Sequence, residues 1–137
     1  ILTAEQIPQV VANAILSISK NPIIILALIN LLLLFLGTFM ETVAAIIILV
    51  PVLLPVITQI GVDPLHFGIV LVVNLAIGMV TPPLGVCLFI GCSIADITLE
   101  DITRAVWPFI LIMIADVLLL TYLPWISTIL PRLTGLY

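Results

Sequence analysis

Charge is scarce in this chain of 137 residues, and basic charge scarcest of all: Lys20, Arg104 and Arg132 stand against seven acids. Three bases leave no footprint for a phosphate backbone, which excludes nucleic-acid binding. Seven scattered acids make no acidic face either. With one histidine, His66, and dispersed acids, the chain lacks the acid–base pair or metal cluster that an intramembrane enzyme needs, and neither an enzyme nor a transition-metal site is expected. Cys87 and Cys92 are five positions apart, about 140° around a helix. They match no zinc spacing and read as small core residues.

What the chain has in place of charge is apolar surface. It is 64% hydrophobic and 7% charged, with a mean hydropathy of +1.53, whereas soluble domains carry about a quarter charged residues. An all-α integral membrane protein is expected. The chain opens at Ile1 with a polar first helical signal and no basic flank, unlike a signal peptide, and reads as a C-terminal piece of a longer subunit.

Thr3 and Gln6 form a capping box for a helix to about Lys20, so residues 1–22 read as an amphipathic helix and linker bordering the rest. Ile23 to Leu36 is an apolar run of about 21 Å, short of the roughly 30 Å hydrocarbon core. After Gly37-Thr38-Phe39-Met40-Glu41-Thr42 comes a second apolar run, Val43 to Ile57, with Pro51 and Pro55. Two half-span runs around a small polar tip favour a re-entrant hairpin over residues 23–57, with Glu41 deep in the membrane. One kinked helix or two complete spans are the alternative geometries.

Gly61-Val62-Asp63-Pro64 is a surface turn, and His66 after it is expected at the interface. Residues 65–96 read as one membrane helix interrupted at Thr81-Pro82-Pro83. Thr98 and Asp101 cap an amphipathic helix over 98–104, and 105–130 follows as the last transmembrane helix, about 39 Å long, with Trp107, Tyr122 and Trp125 as interfacial aromatics. Arg104, in its short juxtamembrane helix, is expected on the cytoplasmic side.

A paired proline between glycines stops a helix where lipid cannot satisfy the freed backbone groups. Such breaks are tolerated where protein holds them or where they line a polar cavity, as in secondary transporters. Half-helix N–H ends suit carboxylates, and carbonyl ends suit Na+. The expected sodium ligands are oxygens of Gly37, Thr38, Thr42, Gly78 and Thr81; Glu41, Asn74, Pro82, Pro83 and Gly85 would line the site or the path of a substrate. Asn74 would support the break by meeting loose backbone groups nearby. Plainer readings exist for each: a simple proline kink, a solvated Glu41 at a tip, and Asn30 and Asn74 as helix–helix hydrogen-bonding residues. Asp116, an acid within a span, is expected to be paired inside the bundle.

The runs Gly37-Thr-Phe-Met-Glu-Thr-Val-Ala-Ala45, Pro51-Val-Leu-Leu-Pro55, Gly61-Val-Asp-Pro-Leu-His-Phe-Gly68, Asn74-Leu-Ala-Ile-Gly78 and Thr81-Pro-Pro-Leu-Gly85 resemble, in order and over essentially the whole chain, the C-terminal part of the large membrane subunit of the TRAP transporters, the tripartite ATP-independent periplasmic transporters. The resemblance implies a sodium-coupled importer of small organic anions such as sialic acid or dicarboxylates, multi-pass in the bacterial inner membrane and working by an elevator mechanism. It also implies a periplasmic substrate-binding protein and a small membrane subunit as partners. The fold it implies has two inverted repeats, each with a re-entrant hairpin and a broken helix, of which this sequence would hold the second pair, with the tip at 37–42 facing the break at 81–83. Members often carry Asp where this chain has Glu41, which keeps the charge and adds one methylene. A structural or ion-conducting membrane subunit without substrate translocation is the alternative.

Overall fold

The structure, a computed structural model, describes residues 21–133 together with Asn13 and Ser17, the side chains of residues 130–132 excepted. Of the helix expected over residues 3–20 only Asn13 and Ser17 fall among them, both helical, and the rest lies outside. Within residues 21–133 six helices are formed: α1 (Pro22–Gly37), α2 (Thr42–Gln59), α3 (Pro64–Gly78), α4 (Val86–Ala95), α5 (Leu99–Tyr122) and α6 (Pro124–Leu133). There is no strand among the described residues. Two of the helices, α2 and α5, are long and apolar enough to cross a membrane.

The helix starts are written locally. Asn21 precedes Pro22, and its side chain accepts from the Ile23 N–H; Asp63 precedes Pro64 and accepts from the Leu65 N–H. Each pairs a capping side chain with a proline whose missing N–H costs nothing at the first helical position. Thr98 caps α5, its hydroxyl accepting from the Asp101 N–H and donating to the Asp101 carboxylate.

Helix α3 is the central post. The core runs along Ile25, Ile29 and Leu33 of α1, Leu53, Val56 and Ile57 of α2, and Phe67, Leu71 and Leu75 of α3. In α1 and α3 these residues recur every fourth position, ridges that end in Gly37 on one helix and beside Gly78 on the other. The start of α1 lies with the start of α3, since Leu26, Gly61 and His66 border one cleft, and their ends meet at the two glycines. Helix α2 starts at the end of α3, where Thr42 bonds Met79, and runs back beside it. Thus α1 and α2 form an antiparallel hairpin astride α3.

Helix α5 runs antiparallel to α3. Its last residues are anchored near the start of α3 by His66, and its first turns pack on α4, where Gly91 faces Ile102. From His66 to Gly78 the chain rises about 18 Å, whereas α5 continues for about 33 Å from Thr121 back to Leu99. The hairpin tip therefore stops partway along α5.

Several expectations are corrected here. Residues 98–104 and the following span are one helix, α5, not two, because Pro108 is absorbed without a break. The stop falls at Leu123, which precedes Pro124 and leaves the helical region with φ −118° and ψ 72°. Side chains brace the stop: His66 Nε2 contacts the freed Thr121 carbonyl at 3.2 Å, and Ser127 and Thr128 donate to the Pro124 carbonyl at the start of α6. His66 is accordingly buried within the bundle at 2% exposure, with Nδ1 2.6 Å from Ser127 Oγ. Asp116 is exposed and has no ion pair among the described residues, so it is not paired within this bundle. Cys87 is exposed and Cys92 half-buried, so neither is a core residue.

A polar chain crosses the apolar middle. Asn74 donates to Asn30 Oδ1 at 2.7 Å, Asn30 donates to Thr121 Oγ1 at 2.8 Å, and Thr121 donates to the Val117 carbonyl at 2.7 Å. Asn74 is thus spent on joining α3 to α1 and α5 rather than on the break, as the helix–helix alternative had it. Replacing Asn30 by Leu leaves Asn74 and Thr121 without their partner; a loss of about 1 to 2 kcal/mol is expected in denaturant or thermal unfolding of the detergent-purified protein. An Asn30→Leu, Asn74→Leu double variant is expected to lose less than the sum of the two single changes.

Candidate functional site

The site begins with two backbones touching. A Cβ added to Gly78 would lie 2.6 Å from the Gly37 Cα and carbonyl carbon and 3.0 Å from the Leu34 carbonyl oxygen. One added to Gly37 would meet the Leu75 carbonyl oxygen at 3.0 Å and the Gly78 Cα at 3.1 Å. Only glycine on both helices permits this approach, and it brings the end of α1 against the end of α3. One residue further, Thr42 donates to the Met79 sulfur at 3.0 Å, tying the start of α2 to the same place. The tip at 37–42 and the break after Gly78 are therefore neighbours.

The break covers residues 79–85. Val80 and Thr81 close tight turns on the Ile77 and Gly78 carbonyls, at 3.1 and 3.0 Å, and Cys87 N–H reaches back to the Met79 carbonyl. The Pro82–Pro83 bond is cis. Gly85 restarts the chain at φ +39°, and a Cβ there would meet the Thr81 carbonyl at 3.1 Å and Leu88 at 2.9 Å. Pro82 is half-buried and Pro83 exposed.

The oxygen inventory follows from these bonds. Among the described residues no donor reaches the carbonyls of Gly37 or Thr81, whereas the Gly78 carbonyl takes one bond from Thr81 N–H and keeps a second lone pair. Thr38 donates its hydroxyl proton to the Phe35 carbonyl at 2.8 Å, and Thr81 donates to Ile77 at 2.7 Å. With Thr42 spent on Met79, all three hydroxyls point their protons away and offer only acceptor oxygens to anything else. Such a set suits a hard cation.

Glu41 uses its carboxylate to cap a helix. It is the exposed N-cap of α2, with Oε1 accepting from Val43 N–H and Oε2 from Ala44 N–H, both at 2.9 Å. Its sequence signal, an acid at the polar tip, is equally that of a helix cap. Asn74 stands one turn before Gly78 but turns its amide to Asn30.

A cleft of about 530 Å³ lies at the other end of α3, bordered by Leu26, Asp63, His66, Thr121 and Trp125. Its histidine is already engaged on both ring nitrogens. The tip and break, where main-chain oxygens lack donors, form the better candidate.

A Gly78→Ala change sets a Cβ inside van der Waals range of the Gly37 backbone, which no side-chain shift relieves. It is expected to destabilise by about 2 kcal/mol or more, measurable as a lowered unfolding midpoint; an unchanged midpoint would show that the helices do not meet at these glycines.

Residues 1–126 match the sequence pattern of the family described as tripartite ATP-independent periplasmic transporter, DctM component. The isethionate TRAP transporter permease protein DctMQ of Oleidesulfovibrio alaskensis is 51% identical over 90% of this chain, a stretch equal to 20% of that protein. The sialic acid TRAP transporter large permease protein SiaM of Vibrio cholerae is 44% identical over 97% of the chain and 31% of its own length. The C4-dicarboxylate TRAP transporter large permease protein DctM of the same organism is 40% identical over 97% of the chain and 29% of its own length. The chain thus spans between a fifth and a third of these relatives, which are transporter permeases and not enzymes. It belongs to the DctM component family of the tripartite ATP-independent periplasmic transporters.

Proposed function

We propose that this chain forms one half of the transport machinery of a sodium-coupled secondary transporter, with a Na+ site between the hairpin tip and the helix break. The observation that carries it is the Gly37–Gly78 contact, which closes the tip of one element onto the broken end of another. Gly37 and Thr81 supply carbonyl oxygens without donors, Gly78 a second lone pair, and Thr38, Thr42 and Thr81 hydroxyl oxygens whose protons face elsewhere. Pro82, Pro83 and Gly85 shape the break, Glu41 fixes the start of α2, and Asn74 fixes α3 through Asn30.

The hairpin is read as re-entrant. Its tip stops partway along α5, itself long enough to span, and α1, at 16 residues or about 24 Å, falls short of the hydrocarbon thickness. Na+ in the site neutralises the exposed oxygens, and a carboxylate or sulfonate would bind beside it against the half-helix N–H groups at the start of α4. The names of the relatives, for isethionate, sialic acid and C4-dicarboxylates, support a cargo among small organic anions. On the same reading the chain sits multi-pass in the inner membrane, receives its anion from a periplasmic binding protein, works with a small membrane subunit and moves as an elevator.

The complete transporter, reconstituted in proteoliposomes with its binding protein, is expected to accumulate an organic anion only under an inward sodium gradient. Thr81→Val removes one acceptor oxygen and is expected to raise the sodium concentration for half-maximal uptake roughly tenfold, about 1.4 kcal/mol, with Thr81→Ser close to the parent. Uptake indifferent to sodium, or an unaltered sodium dependence in Thr81→Val, would contradict the site.

A further inference from the structure

Helix α5 has a second face that nothing among the described residues covers. Its inner face is used: Ile110, Val117 and Thr121 are buried, and Thr121 meets both Asn30 and His66. On the outer side Phe109, Ile112, Asp116 and Leu119, with Leu123 at the C-cap, follow one another at intervals of three and four. The apolar members are 63%, 67%, 49% and 39% exposed, and Asp116 is exposed as well. Alternating steps of three and four are the spacing at which a second helix packs with a left-handed crossing, in membranes as in water.

Asp116 sits at the centre of that seam. It stands about 9 Å along the axis from Tyr122 and about 18 Å from Arg104, within a helix long and apolar enough to span. Its side chain has one methylene, too short to lift the carboxylate to the interface as lysine or arginine would. Asp116 has no hydrogen bond or ion pair among the described residues. An acid held at this depth calls for a partner of opposite charge, which the visible fold does not supply. A second copy does not fit: a two-fold contact through the seam, parallel or antiparallel about its middle, sets Asp116 against Asp116.

We propose that the Phe109–Leu123 face of α5 is the docking seam for a transmembrane helix of different sequence carrying a lysine or arginine opposite Asp116. The acid fixes the register of that contact, as a polar residue at one core position does in a coiled coil. The apolar residues above and below exclude lipid from the pair. This seam is on the side of α5 turned from α3 and is independent of whether the tip and break bind sodium.

Photo-crosslinking residues placed singly at Ile112 and Leu119 in the assembled, membrane-embedded protein test it, with captured peptides identified by mass spectrometry. Both positions are expected to capture the same transmembrane helix, of another sequence and with a lysine or arginine in its apolar stretch. Asp116→Leu is expected to cut the yield roughly fivefold, and Asp116→Lys paired with an acid in place of the captured base to restore it. That restoration separates a lost contact from a misfolded chain. Capture of lipid alone, of α5 from a second copy, or of a helix without a base would overturn the proposal, as would a yield unchanged in Asp116→Leu.

Discussion

A backbone carbonyl or N–H in hydrocarbon must find a partner inside the protein, and everything distinctive in this chain follows from where that rule is met and where it is left open. Around Leu123 proline stops α5, a buried imidazole takes up the Thr121 carbonyl, and two hydroxyls of the next helix bond the Pro124 carbonyl at its start. At residues 79–85 tight turns take up part of the break, yet among the described residues the carbonyls of Gly37 and Thr81 have no donor. The two proline interruptions thus differ, the one braced by side chains and the other leaving main-chain oxygens open.

The open end is held by contact without side chains. Gly37 and Gly78 bring two main chains together so closely that a methyl group on Gly78 would collide with Gly37, and one on Gly37 would crowd Gly78 and Leu75. That contact fixes the tip of the hairpin against the break, and one to two turns lower the Asn74–Asn30–Thr121 chain ties α3 and α1 to α5. The apolar ridges of α1 and α3 supply burial along the length, but ridges of leucine and isoleucine tolerate sliding. The paired glycines and the asparagine pair do not, and so set the register in which the oxygens meet.

Much of this was legible beforehand. Pro-Pro between glycines announced the break, the Thr98–Asp101 box announced a helix start, and the short runs on either side of Gly37–Thr42 announced a hairpin. Local signals failed where tertiary partners decide. Pro108 and Pro124 look alike in sequence, yet only the second ends a helix, where His66 and hydroxyls of the next helix brace the stop. His66 beside a surface turn gave no sign that α6 would fold over it. Glu41 and Asn74 carried polar groups at plausible depths, but the first caps its own helix and the second reaches another; which way a side chain turns is set by neighbours far along the chain. The closeness of Gly37 and Gly78, 41 positions apart, had no local signal beyond the glycines themselves.

The most direct test of an ion held by this broken backbone is the structure of the complete transporter in lipid nanodiscs, determined with sodium and again with choline in its place. Density for a cation between the carbonyls of Gly37 and Thr81, at the depth of the hydrocarbon core and present only with sodium, is the predicted result. An unbroken helix through residues 79–85, or the same break lying in bulk water with no sodium-dependent density, would contradict it.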